Sequence, residues 1–277
     1  AVGFLHSYAN PENEKILKAF LTKELPDVEV SVSSDVCPEI REYERFTTTV
    51  VNAYIKPLMS NYLKKLDQKL LNSGFNCPLL LMTSGGTLTN ISSACNNPVR
   101  LVESGPAGGA ILATSIAEDM NLSKVISFDM GGTTAKITII ENKKAIKARE
   151  FEVDRKARFK KGSGYPLRIP VIEMVEIGAG GGSIARVNKL EQIITGPDSA
   201  GSFPGPACYS NGGSMPTITD ADLVIGKINP DNFAGGKIKL SKQLAHKAIT
   251  ENIVKFVNID TNIAALAISE IVDETMS

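Results

Sequence analysis

The sequence predicts an α/β fold. Apolar, strand-like runs alternate with helical segments along the 277 residues, and no short internal repeat interrupts them. A glycine pair, Gly131-Gly132, separates two apolar runs of strand length, the pattern of a hairpin and not of an all-helical chain. With 43% hydrophobic and 22% charged residues, the chain is long enough for one large domain or two smaller ones with real cores.

Taken in order, the opening Ala1-Val-Gly-Phe-Leu5 reads as the middle of a buried strand. Residues 11–24 form an amphipathic helix, with Asn10 as N-cap, Pro11 in the first helical position, and Ile16, Leu17, Phe20 and Leu21 on its inward face. Residues 28–32 alternate like a strand. A helix runs over about 39–56, and Pro57 opens another in which Leu63, Leu66 and Leu70 recur until Gly74. The run 79–82 reads as a buried strand before the turn Ser84-Gly85-Gly86. A second unit is expected near Leu101, with a small-residue helix from Gly105-Pro106 to about Met120. Residues 125–128 and 137–140 are the strands of the hairpin. Its first strand is expected to be central in a sheet, with Thr133 and Thr134 starting the return strand. From 160 to 236 the chain is Gly/Pro-rich with short strands, 183–187 most clearly, and 241–257 and 260–276 close as helices. The last of these runs to the chain end without a stop signal, so the sequence reads as a segment of a longer protein.

Thirty basic residues balance thirty acidic ones, which argues against nucleic acid or an anionic membrane as the main partner. The basic run 155–161 reads as a solvated loop or a local anion contact. No apolar run approaches the ~20 residues of a membrane span, and no signal-peptide pattern is present. Cys37, Cys77, Cys95 and Cys208 lack metal-type spacing and suit a reducing, cytoplasmic setting. Structural roles are expected of all four, though the Gly/Pro-rich surroundings of Cys208 also suit a cleft wall.

The stretch Ser127-Phe-Asp-Met-Gly-Gly-Thr-Thr-Ala-Lys136 carries the most chemistry. Asp129 ends a strand, Gly131 and Gly132 let the backbone turn with its N–H groups open, and Thr133 and Thr134 add hydroxyls. That set suits an anion such as phosphate, with the carboxylate holding a hydrated Mg²⁺ or orienting a nucleophile. A plain tight hairpin is the structural alternative. In Ile177-Gly-Ala-Gly-Gly-Gly-Ser-Ile-Ala185, the residues Gly180, Gly181, Gly182 and Ser183 allow close approach of a ligand to the main chain, or form a linker. Glycines at the helix start Glu103-Ser-Gly-Pro-Ala-Gly-Gly109 suit an anion or tight helix packing. Asp220 and Asp222 are a helix cap with a first-turn acid, or a metal pair, and the cap is favoured. His6 and His246 have no partner at ligand spacing and are read as structural.

Eight stretches together resemble the A subunit of the hydantoinase/oxoprolinase family. They are Arg41-Glu-Tyr-Glu-Arg45, Val51-Asn-Ala-Tyr54, Glu103-Ser-Gly-Pro-Ala107, Phe128-Asp-Met-Gly-Gly-Thr133, residues 177–185, Gly196-Pro-Asp-Ser-Ala-Gly201, Pro204-Gly-Pro-Ala-Cys-Tyr209 and Thr219-Asp-Ala221. The resemblance implies a partial actin-like (ribonuclease H-like) ATPase fold, mixed sheets flanked by helices. Residues 1–46 would end an N-terminal domain and 47–277 would form the central ATPase domain. It implies ATP and Mg²⁺ as cofactors, with Asp129 as catalytic and metal-holding residue. Gly131, Gly132, Thr133 and Thr134 would form the second phosphate loop, and Gly180, Gly181, Gly182 and Ser183 a further nucleotide-side loop. A first phosphate loop and an adenosine-side motif of the family are not found in this sequence.

The implied activity is ATP-driven opening of a small cyclic amide, a hydantoin or 5-oxoproline type of ring, with a hydantoinase B-type subunit or domain as partner and room for homo-oligomers. The rivals are a ketone carboxylase subunit, a phosphotransferase on the same fold, and a non-catalytic nucleotide-binding assembly protein. Many family members place a second acid after the hairpin, where this chain has Ala135-Lys136, so that acid's metal role does not carry over.

Overall fold

The computed structural model describes residues 1–156 and 162–277. Most of the basic run 155–161 therefore lies outside the described residues; Arg155 itself pairs with Glu152 at 3.1 Å. The chain divides into two compact units, Ala1–Ser127 with Thr138–Glu173, and Phe128–Ile137 with Met174–Ser277. Leu101 lies inside the first unit and not at a boundary.

The first unit holds helices α1 (Glu12–Glu24), α2 (Ser33–Val36), α3 (Glu42–Asn72), α4 (Ile91–Asn96) and α5 (Ser104–Asp119). Strands β1 (Leu80–Met82) and β2 (Leu88–Asn90) pair antiparallel across the expected turn. Short strands β5 (Lys144–Ala145), β6 (Lys147–Ala148), β7 (Phe151–Val153), β8 (Tyr165–Leu167) and β9 (Val171–Ile172) complete it. Val36, Cys37, Val99, Leu167, Ile169 and Val171 form its core cluster.

Several expectations change here. The opening residues are not a buried strand. Val2 alone bridges to Val32, and Leu5 is 73% exposed. The 28–32 strand shrinks to that same bridge. In α1, Pro11 occupies the N-cap position and Asn10 accepts the Glu12 N–H at 3.1 Å. The buried residue of the helix is Glu14, while Ile16 and Phe20 are 67% and 57% exposed. The cause is polar: the Glu14 carboxylate accepts the Phe4 N–H (2.8 Å), the Ser33 hydroxyl (2.7 Å) and the Ser34 N–H (2.7 Å). Arg45 completes this buried cluster, donating to Ser33 Oγ and the Phe4 carbonyl and stacking against Tyr8 and Phe46.

The two helices expected on either side of Pro57 are one, α3. A proline in a helix removes one N–H and crowds the preceding turn. Here buried residues anchor the helix on both sides of it, Arg45, Thr48, Thr49 and Asn52 before and Ser60 and Leu63 after. Strand β1 is not fully buried, since Leu80 is 51% exposed.

The hairpin strands β3 (Lys124–Met130) and β4 (Ala135–Glu141) run through both units. The sheet order is β10-β4-β3, with β10 spanning Val175–Ile177, so β3 stands at the edge and β4 is central. In the second unit β11 (Ser183–Val187) pairs antiparallel with β12 (Ile193–Ser199). Helices α6 (Ile218–Val224), α7 (Lys242–Ile249), α8 (Lys255–Val257) and α9 (Thr261–Met276) follow, with a π-helical stretch Thr250–Val254 joining α7 to α8. Their apolar faces meet in one core that includes Ala185, Ile218, Leu223, Ile249, Ile253, Ile268 and Val272.

Candidate phosphate-binding hairpin

The hairpin tip forms where β3 ends at Met130 and the Gly131 N–H donates to the Thr134 carbonyl at 2.9 Å. Thr133 and Thr134 belong to this turn, and the return strand begins one residue later, at Ala135. Asp129, next to last in β3, is exposed. Neither Gly131 nor Gly132 has positive φ, and a Cβ added at Gly132 would meet nothing within 4 Å. The main chain there is open to approach from outside.

The second glycine run reaches the tip directly. Gly181 N–H donates to the Gly131 carbonyl (3.0 Å) and Gly182 N–H to the Gly132 carbonyl (2.7 Å). Gly180 N–H donates to Ser183 Oγ (2.9 Å), and Ser183 N–H to the Gly180 carbonyl (2.9 Å). The N–H groups of 180–183 are thus committed within the protein, and it is the hairpin that makes the close approach expected of a ligand. A Cβ on Gly180 would lie 2.7 Å from Gly131 O, Gly132 C and Thr133 N, which no side chain tolerates. A linker would show none of this.

Backbone accounting then isolates the free donors. Among the described residues, the N–H groups of Gly132, Thr133 and Thr134 and the hydroxyls of Thr133 and Thr134 make no hydrogen bond. Three open N–H groups and two hydroxyls therefore share one turn, and the exposed Asp129 stands at the end of the strand that leads into it. The donors fit phosphate oxygens. Among the described residues no three His, Cys, Asp or Glu side chains cluster, so a metal here would rest on Asp129 and on a ligand's own oxygens, a normal arrangement for Mg²⁺. Lys136 faces Glu176 across the β4–β10 pairing, with Nζ 4.0 Å from the carboxylate.

A further set of contacts, which sequence reasoning missed, holds the 180–183 run in place. Thr219 donates both its N–H (2.9 Å) and its hydroxyl (2.8 Å) to the Gly181 carbonyl. Ala200 N–H donates to the Gly182 carbonyl at 2.8 Å, and the Ser199 hydroxyl to the Gly132 carbonyl at 3.2 Å. The signal was present: Ser199 and Thr219 sit in two of the eight stretches that carried the family resemblance.

Thr219 is positioned by a capping box at the start of α6. Asp220 N–H donates to Thr217 Oγ1 at 3.3 Å, and the Asp220 carboxylate accepts the Thr217 N–H (2.9 Å) and hydroxyl (2.8 Å). The same carboxylate takes the Ala207 and Cys208 N–H groups. Asp222 turns to the Ser269 hydroxyl at 2.9 Å, and its pKa is raised by burial against the opposing pull of Ser269 and Lys227. The cap reading holds, and the metal-pair reading does not. Cys208 is fully buried and does not line a cleft; burial and the nearby Asp220 push its thiol far up, so it is no nucleophile. In α5, a Cβ on Gly105 or Gly109 would meet nothing within 4 Å, so tight packing is not what those two glycines answer to.

The hydantoinase/oxoprolinase family profile matches residues 45–277. The chain belongs to that family. It is 46% identical over 253 residues to an uncharacterized protein of Methanocaldococcus jannaschii, covering 90% of this chain and 37% of that one. It is 35% identical over 276 residues to caprolactamase subunit alpha of Pseudomonas jessenii, covering 100% of this chain and 38% of the relative. Among solved structures, nucleotide-free acetone carboxylase superposes with a TM-score of 0.83 at 29% identity, over 98% of this chain and 37% of that one. This member of the family thus spans a little over a third of the length of each of these three relatives. Among the described residues no helix is long and apolar enough to cross a membrane.

Proposed function

We propose that this chain supplies a phosphate-binding hairpin to the nucleotide cleft of an ATP-dependent enzyme that opens small cyclic amides, built on an actin-like (ribonuclease H-like) fold. The observation that carries the reading is the hairpin tip, where the only uncommitted N–H groups among those of residues 131–134 and 180–183 follow the exposed Asp129 by three to five residues. Gly132, Thr133 and Thr134 would hold phosphate oxygens by backbone N–H and hydroxyl, in place of water. Asp129 would hold a hydrated Mg²⁺ and so fix the phosphates against the tip. Gly180, Gly181, Gly182 and Ser183 form the wall that keeps the tip in one shape. ATP, when bound, would supply a phosphoryl group to the amide carbonyl oxygen, which makes the carbon electrophilic enough for water to attack and the ring C–N bond to break.

The relative that is a caprolactamase subunit supports a lactam as substrate class, and its naming as an alpha subunit supports a partner, here a hydantoinase B-type subunit or domain. A cytoplasmic location accords with this chemistry. A second reading, ATP-dependent ketone carboxylation, is favoured by the closer superposition on acetone carboxylase, 0.83 against 0.71 for caprolactamase. The test is ATP hydrolysis by the full-length protein with its co-purifying partner, offered lactams and hydantoins in one series and ketones with bicarbonate in another. Stimulation by the cyclic amides supports the first reading, and stimulation by ketones only if bicarbonate is present moves the assignment to the second.

A further inference from the structure

We propose that a cavity of about 250 Å³ in the first unit binds a small organic carboxylate. Its polar wall is Thr83, Thr87, Thr89, Ser93, Asn97 and Arg100, with the Thr83 and Thr87 hydroxyls bonded to each other at 2.8 Å, and Leu88 and Leu101 are part of its apolar wall. No acidic side chain lines it. Among the described residues the Arg100 guanidinium makes no ion pair or hydrogen bond, and neither do the hydroxyls of Thr89 and Ser93 or the Asn97 side-chain amide.

The arginine is nonetheless held in place at its backbone. Its carbonyl accepts both the N–H (2.8 Å) and the hydroxyl (2.7 Å) of Ser84, and its N–H donates to the Asn97 carbonyl at 3.1 Å. An anchored main chain presents an exposed cation that no group among the described residues answers. A planar carboxylate matches the guanidinium fork, since both oxygens can accept parallel N–H bonds. The hydroxyls and the amide supply further donors at the same wall. The leucines favour an anion that carries a short hydrocarbon tail over a fully hydrated inorganic one. At roughly 30 Å³ per water, the cavity has the volume of about eight waters, enough for a carboxylate of a few carbons. The cavity lies in one unit and the hairpin tip in the other, so the assignment does not rest on the nucleotide reading.

Calorimetric titration of the full-length protein with butyrate, butyramide and inorganic phosphate tests it. Butyrate is expected to bind, butyramide at least about tenfold more weakly, and Arg100→Gln to weaken butyrate by at least about tenfold, as loss of a charged hydrogen-bond partner does. Thr89→Val with Ser93→Ala should weaken it as well, which keeps the test open if Arg100→Gln fails to fold. Equal affinity for butyramide, unchanged butyrate affinity in these variants, no butyrate binding at all, or phosphate binding more tightly than butyrate would each overturn the assignment.

Discussion

At Gly180 a side chain has nowhere to go, because three backbone atoms of the hairpin tip stand 2.7 Å from where its Cβ would be. Gly180→Ala is therefore expected to cost about 1–3 kcal/mol, the usual range for overpacking a tight contact. Gly132→Ala, which meets nothing within 4 Å, should change stability by no more than about 0.5 kcal/mol. Denaturant unfolding of the two variants reads the difference, and equal costs would mean the loop and the tip do not meet. Asp129→Asn keeps the side-chain size and removes the charge. If the full-length protein has the proposed activity, its kcat should fall about 10²–10³-fold with folding intact, and a kcat close to wild type would leave Asp129 a surface residue of the strand. Glu14 offers a pH test. Burial pushes its carboxyl up, but hydrogen bonds from Ser33, Ser34 and Phe4 outweigh that and lower it from 4.5 to about 2. A folded value below the unfolded one gives stabilisation that is complete above the unfolded value and is lost as pH falls toward about 2. Wild type should thus lose stability more steeply between pH 4.5 and 2 than Glu14→Gln, measured by thermal melts across that range.

At the scale of elements, two segments hold the hairpin tip and the glycine run packed on it. Ser199 bonds its Gly132 carbonyl, and Thr219 bonds the Gly181 carbonyl one step behind. Ser199→Ala combined with Thr219→Val should raise amide hydrogen exchange within residues 128–137 while leaving α9 protected. Unchanged exchange at the tip would show that these hydroxyls do not hold it. The elements that could be read from sequence were those with local signals. The 183–187 strand, the α5 start, the α6 cap and the strand–glycine–strand hairpin each depend on residues a few positions apart. What escaped depended on distant partners. The α1 apolar stripe pointed inward by periodicity, yet Glu14 is the residue drawn in, by groups of Phe4, Ser33 and Ser34. Pro57 looked like a helix boundary, and packing on both sides of it keeps α3 continuous. For the site, residue type and order marked the tip and the second glycine run. No pattern along the chain could show that the second run donates its N–H groups to the first.

At the scale of the whole molecule, the proposed function gives the hairpin one side of a phosphate site, and catalysis of phosphoryl transfer depends on positioning every group around the phosphates at once. The relatives named for ATP-dependent chemistry are chains of which these 277 residues cover 37% to 39%. The family resemblance also assigns a first phosphate loop and an adenosine-side motif that this sequence does not contain. The 277 residues alone are therefore expected to give no ATP hydrolysis above background with Mg²⁺ and a lactam, at nucleotide concentrations in the millimolar range typical of weak substrates. Melting temperature measured alongside separates an absent site from an unfolded chain. A folded chain without turnover, set beside a full-length protein that hydrolyses ATP when a lactam is added, would place the missing groups outside these residues. Turnover by the 277 residues alone would mean that Asp129, the open tip and their neighbours already make a complete site, and the division of labour proposed here would be wrong.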